Sequence, residues 1–419
     1  MNSSNSDEPT PSENILVGGE YKNLRLLFAI AGLGITQIIG WGTIFYPPAV
    51  IAEEMGRDIG LDRESVFFGI TVAMLVGAVT SSKIGTLIDR HGARIPLVVG
   101  CLVTALALFL LSISTHPPVF WISWGILGIA SPLVLSTGCY AAMVQIAGKH
   151  ARKAVSALTL FSGFASTIFY PATHFLDEFQ GWRMAYVVFA VLHIVLCLPI
   201  YLVVLSSFHK KGAISKDAVP AAITGTRAIF AFWLFAALVM TNTLVSAGLT
   251  LHLISIFGML GLSAGMAVSA ASFTGPSQVG GRVIEIILGD HYPPIATALV
   301  AAFLQVMAFV LILSGRPEAM IWIFVCIYGL SNGLMAIVRA SIPLEFFGTL
   351  KYGTITGRLN IAFSITNAVA PVIFASFFKH FGAIRLLTLC CGLAIFSGAI
   401  VVSLFYIWCK TSSKNPFNK

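Results

Sequence analysis

Gly85-Thr86-Leu87-Ile88-Asp89-Arg90-His91-Gly92-Ala93-Arg94 is the most informative stretch of this 419-residue chain. Gly85 and Asp89 stand four residues apart, so on a helix they share one face. A glycine there lets a neighbouring helix approach closely. Asp89 falls where a helix would end, placed to pair with a base or to cap the N-terminus of another helix. Gly92 permits a tight turn. Arg90 and Arg94 make the turn basic.

The flanks of this turn are apolar for long distances, near 65–86 and 95–115. About 20 apolar residues suffice to cross a hydrocarbon layer about 30 Å thick. Ten further stretches meet that length, near 26–50, 118–146, 154–176, 184–207, 228–257, 262–288, 293–315, 319–346, 352–378 and 386–409. The seventh and eighth spans are separated only by Gly258, Gly261 and Ser263, since no Asp, Glu, Lys or Arg lies between Ala228 and Gly281. Composition agrees: 57% of residues are hydrophobic and 10% charged, far below the roughly 25% charged of soluble domains. The expected fold is an all-α integral membrane protein of twelve transmembrane helices. A β-barrel would need short alternating segments, which these are not.

Basic residues mark alternate loops. One set holds Lys22 and Arg25; Lys83, Arg90 and Arg94; Lys149, Arg152 and Lys153; Lys210, Lys211, Lys216 and Arg227; Arg282; Lys351 and Arg358; Lys410, Lys414 and Lys419. The other holds Arg57, Arg63, Arg183, Arg316, Lys379 and Arg385. Positive loops stay in the cytoplasm, which predicts that both termini are cytoplasmic. The net charge of +8 follows from that topology, and no nucleic-acid partner is needed to account for it. Residues 1–22 are expected to form a disordered cytoplasmic tail without the features of a signal peptide. A polar interruption at 208–227 divides the rest into two six-helix bundles, 23–207 and 228–409, with a cytoplasmic tail at 410–419.

The two halves echo each other. Gly281-Arg282-Val283-Ile284-Glu285 closes the eighth span as Gly85 to Asp89 closes the second, again with an acid four residues after Gly. Pro171 and Pro371 lie at similar depths in the fifth and eleventh spans. Repeated halves of this kind are how many secondary transporters build their inward- and outward-facing states around one central site.

The stretch from Gly85 to Arg94 also closely resembles the signature between helices two and three of the major facilitator superfamily. It departs at Ala93, where a basic residue is common, with Arg94 supplying the charge. Together with the span count and the central loop, the resemblance covers the whole chain. It implies two pseudo-symmetric six-helix bundles, alternating access, and a cytoplasmic gate built from Gly85, Asp89, Arg90, Gly92 and Arg94 with Gly281, Arg282 and Glu285. It says almost nothing about substrate. Gln37-Ile38-Ile39-Gly40-Trp41-Gly42-Thr43, Gly181-Trp182-Arg183, Gly275-Pro276-Ser277-Gln278 and Arg339 with Pro343 are similar to strings in bacterial monocarboxylate and small organic-anion porters.

Arg339 is the leading substrate-binding candidate. A charge at membrane depth is costly unless it meets a cavity or a partner, and Arg matches a carboxylate with two parallel hydrogen bonds. Snorkelling to headgroups or pairing with Glu345 are the alternatives. Gln37, Trp41, Tyr140, Tyr170, Asn242, Gln278 and Asn332 complete the candidates, and each alone can equally be a helix–helix contact. Helices one, four, seven and eleven carry no interior acid for a proton carrier, so protons as coupling ion stay open.

The expected function is secondary transport of a small organic solute, preferentially an organic anion such as a carboxylate, across the inner membrane. Efflux of drugs or amphipathic metabolites is the alternative. Against it, the fifth span lacks a Gly-Pro signature and Trp124 stands where many antiporters keep a base. An enzyme is not expected, since there is no HExxH or intramembrane aspartate pair, and Gly261-Leu262-Ser263-Ala264-Gly265 matches a nucleophile motif only in a turn. No cofactor is expected. The seven cysteines lack metal-ligand spacing, so no metal is expected either. The partners are the solute and the lipid bilayer, and the resemblance points to a monomer.

Overall fold

The computed structural model describes residues 11–206, 219–250, 252–289, 291–315 and 318–411, with side chains from residue 24 onward. Among these residues every regular element is helical. The helices are α1 (Pro11–Phe45), α2 (Pro48–Ile59), α3 (Arg63–His91), α4 (Arg94–Ser112), α5 (Pro117–Val134), α6 (Ser136–Ala147), α7 (Ala151–Gly163) and α8 (Ala165–Leu192). They continue with α9 (Leu198–Ser206), α10 (Gly225–Thr250), α11 (Leu253–Met259), α12 (Ala264–Leu288), α13 (Pro294–Ser314), α14 (Glu318–Phe347) and α15 (Tyr352–Thr411). Eight helical stretches of the described residues are long and apolar enough to cross a membrane, so this is a multi-pass membrane protein.

The helix ends follow local chemistry. Asp62 caps α3 by accepting from the Ser65 amide at 3.2 Å, and this serine holds its carboxyl below the usual carboxylate range. Ser263 caps α12 in the same way, accepting from Met266 N at 3.4 Å; the serine of the apparent nucleophile motif is a helix cap. At 60 residues α15 would run about 90 Å if straight. Gly382 breaks it with φ 78°, and Gly181 breaks α8 with φ 79°. Each glycine follows a proline inside the same helix, Pro171 and Pro371, so one local plan appears twice along the chain.

Three expectations need correction. Residues 11–22 are helical, not a disordered tail, in keeping with Pro11 at the first helical position and Glu13 in the first turn. Residues 1–10, 207–218 and 412–419 lie outside the described residues. The fourth span, expected as one helix over 118–146, is broken: Leu135 takes an extended conformation between α5 and α6. Pro132, which has no N–H to donate, lies three residues before the break, while Leu135 N still donates to the Ser131 carbonyl at 2.8 Å. The span expected near 228–257 is two helices, α10 from Gly225 to Thr250 and α11 from Leu253 to Met259.

One apolar cluster is built from residues between Ala29 and Leu205 and takes in Ala340, Leu344 and Tyr352 from the second part of the chain. Two others lie within residues 223–408. Outward-facing Val79, Val372 and Phe303 are 74%, 69% and 67% exposed, apolar surface that suits lipid and not water. The described end of the linker is pinned: Ile223 N donates to the Phe346 carbonyl at 3.0 Å and Thr349 N to that of Val219 at 3.2 Å.

Gln37 explains how the α5–α6 break is tolerated. Its side chain is fully buried, and Nε2 donates to the Val134 carbonyl at 2.8 Å. Without it a carbonyl would be left unpaired inside the protein. Gln37→Leu should therefore destabilise the protein by about 1 kcal/mol, the scale of an interhelical hydrogen bond. A lower unfolding temperature in detergent checks this, and an unchanged one contradicts it.

Candidate functional site

The site begins at the end of the molecule where α3 meets the start of α15. Asp89 accepts from Gly353 N at 2.9 Å, from Thr354 N at 2.7 Å and from Thr354 Oγ1 at 2.7 Å. These are the free amides of a helix N-terminus, where a carboxylate is favoured. The approach requires glycine: a Cβ on Gly85 would strike the Gly353 carbonyl, and one on Gly357 would strike that of Ser81. Ser81 Oγ also donates to the Gly357 carbonyl at 2.7 Å. Behind the turn, Gln145 Nε2 donates to the Ile88 carbonyl at 3.0 Å while its Oε1 accepts from Ala93 N at 3.2 Å. Gly92, with φ 83°, makes the turn possible.

The second copy of the motif closes differently. Glu285 pairs with Arg152 of α7 at 2.7 Å and accepts from Thr297 Oγ1 at 2.9 Å. Arg152 also donates to the Tyr292 carbonyl. Gly281 packs on the backbone of Leu330. Arg282 reaches across to α7, where Nη1 donates to the Thr159 carbonyl at 2.7 Å.

Behind these contacts lies a chamber of about 170 Å³ between α10, α12, α14 and α15. Asn242, Gln278, Arg282, Asn332, Arg339 and Phe363 line it. Two side lobes of about 40 Å³ each extend toward the first part of the chain. Arg339 and Phe363 line all three spaces. Arg339 lays its guanidinium over the Phe363 ring, 4.0 Å from the centroid. Ser136 and Thr137, at the N-terminus of α6, line both lobes, so a positive helix end faces the same space. Among the described residues, no Asp or Glu lines the chamber or either lobe.

Of the sequence candidates, Arg339, Asn242, Gln278 and Asn332 meet in the main chamber, Tyr140 in one lobe and Trp41 in the other. Gln37 and Tyr170 do not line these spaces. Gln37 is occupied by the α5–α6 break, and Tyr170 packs edge-on against Tyr46 with centroids 5.1 Å apart. Arg282, expected in the gate, lines the chamber as well. Arg90 is exposed and Arg94 half-buried at the turn. Glu345 does not pair with Arg339 but accepts from Trp408 Nε1 at 3.3 Å. Phe363 and Gln145 escaped sequence reasoning: one phenylalanine among 31 carries no signal, and Gln145 acts only through the turn it holds.

A sequence profile of the Major Facilitator Superfamily matches residues 31–371. The chain belongs to that superfamily. It is a transporter, not an enzyme. No curated protein sequence matches it significantly. Among solved structures, it is similar to the human organic anion transporter MFSD10 (TETRAN), at 16% identity and a TM-score of 0.68, over 91% of this chain and 99% of that one. It is similar to FucP in the outward conformation, at 11% identity and a TM-score of 0.68, with the same coverage of both chains. It is also similar to the proton:xylose symporter XylE bound to 6-bromo-6-deoxy-D-glucose, at 14% identity and a TM-score of 0.67, over 89% and 95% of the two chains. At these identities the likeness establishes the shared fold.

For this transporter, Asp89→Asn keeps the shape of the α3–α15 contact but removes its charge. The maximal transport rate should fall about tenfold, equivalent to about 1.4 kcal/mol, with half-saturation unchanged within about twofold. An unchanged rate with much weaker half-saturation would show that Asp89 serves the solute and not the gate.

Proposed function

We propose that this protein is a secondary transporter that moves a small organic anion, of carboxylate type, across the cytoplasmic membrane by alternating access. The observation that carries the proposal is Arg339. Its guanidinium sits at the junction of the chamber and both lobes, and among the described residues it meets an aromatic face and no carboxylate. A buried cation without a counter-ion is costly, and a bound carboxylate would supply the missing charge with matching geometry. The similarity to a protein named as an organic anion transporter is in keeping with this solute class.

In this proposal the chain crosses the inner membrane twelve times. Dividing the helical stretches 117–206 and 352–411 at Gly148, Gly181 and Gly382, and adding α12 to the spans, gives that number. The segments 23–207 and 228–409 act as the two moving halves, joined through 208–227, with both termini and the Gly85–Arg94 turn in the cytoplasm. The chamber then lies behind a closed cytoplasmic end, and rocking the halves would part α3 from α15 and α7 from α12.

Purified protein in proteoliposomes should take up short carboxylates, tested with and without an inward proton gradient. Arg339→Ala should weaken their half-saturation at least tenfold, the scale of one charged hydrogen-bonded pair. Gradient stimulation would identify the proton as coupling ion. Transport of cationic dyes but not carboxylates, unaffected by Arg339→Ala, would contradict the proposal in favour of efflux.

A further inference from the structure

Arg339 does not stand alone. Arg282 lines the same chamber from α12, facing Arg339 on α14. Like charges sharing a weakly hydrated space repel, and each is costly to hold there without a counter-charge. An acid between such a pair would offset the repulsion, yet among the described residues no Asp or Glu lines this chamber or its lobes. Glu285, one helical turn from Arg282, is already engaged by Arg152 and Thr297. Among the described residues Arg282 has one hydrogen bond, to the Thr159 carbonyl, and its Nε is buried without a partner. On the wall of the same chamber, Asn242 Nδ2 and Asn332 Oδ1 are likewise buried, with no partner among the described residues.

From this arrangement we infer that the transported solute carries two separated anionic groups, one held by Arg339 and the other by Arg282, with the unpaired amides of Asn242 and Asn332 as further polar partners in the chamber. The inference rests on the reading of the chamber as an organic-anion site and narrows it to dianions of dicarboxylate type. One such ligand would neutralise both guanidiniums at once, and a monoanion would leave one of them uncompensated. Arg282 also spans from α12 to α7, so a carboxylate drawn to it would compete with the Thr159 carbonyl for a contact that ties the two parts of the chain together.

Ligand binding to the purified full-length protein tests this. The probes are matched straight-chain sets: malonate, succinate, glutarate and adipate, the monocarboxylates of equal carbon number, the corresponding diols, and inorganic phosphate. Affinity is read by equilibrium binding and by ligand-dependent thermal stabilisation, which follows the ratio of concentration to Kd. At least one dicarboxylate should bind ten times or more tighter than its monocarboxylate and than phosphate. Arg282→Gln should bring that dicarboxylate to within about threefold of the monocarboxylate. Arg339→Gln should weaken both, and Arg282→Lys should keep a preference for the dianion. Ligand-free unfolding temperatures establish that each variant is folded. Equal affinity for mono- and dicarboxylates in the folded wild type would overturn the inference and leave the organic-anion reading intact. So would phosphate binding as tightly as the best dicarboxylate, since two charges in one group need no second arginine. Binding of the diols as tight as that of the acids, or no binding by any acid, would overturn both.

Discussion

The backbone contact between α3 and α15 at Gly85 and Gly353 constrains everything around it. Two helices from opposite parts of the chain meet there with no side chain between them, and the contact is polar on one side. The Asp89 carboxylate takes three hydrogen bonds from the first residues of α15, using amides that the helix itself cannot satisfy. Since the same contact carries both the close packing and the charge, weakening either one releases the other. The chamber lies behind it, and α15 reaches from this contact to Phe363 on the chamber wall.

The second motif copy shows that repetition of sequence need not repeat the chemistry. Both copies place an acid four residues after a glycine. Asp89 meets backbone amides; Glu285, with one more methylene, meets the Arg152 guanidinium and the Thr297 hydroxyl. The first closure depends on the geometry of a helix end, and the second on a partly buried ion pair. Charge pairs of the second kind are sensitive to ionic conditions where they reach water, and the backbone cap is less so.

Much of this was legible in the sequence because it rests on local rules. Gly85, Asp89 and Gly92 are spaced as a helix face followed by a turn, and Arg339 declares itself by being charged inside an apolar run. What was not legible depends on contacts distant in sequence. The break at Leu135 lies inside a stretch with no charged residue that reads as one span despite Pro132, and its compensating partner, Gln37, is 97 residues away from the carbonyl it serves. For that reason Gln37 read as a cavity residue and turned out to hold two helices together. Arg282 read as part of a gate by analogy with the first half, yet its long side chain also reaches the chamber. The absence of an acid around Arg339 and Arg282 is a property of the assembled walls, invisible in any single helix.

The direct test of the central claim, that Asp89 holds the α3–α15 end closed, is a distance measurement. Spin labels at the exposed positions Arg90 and Lys351 would report on this end, and labels at Arg63 and Lys379 on the opposite one, in a cysteine-free background. With Asp89→Asn the 90–351 distance distribution should shift to longer values while the 63–379 distances shorten. Distributions that coincide with those of the parent protein at both ends would contradict the account.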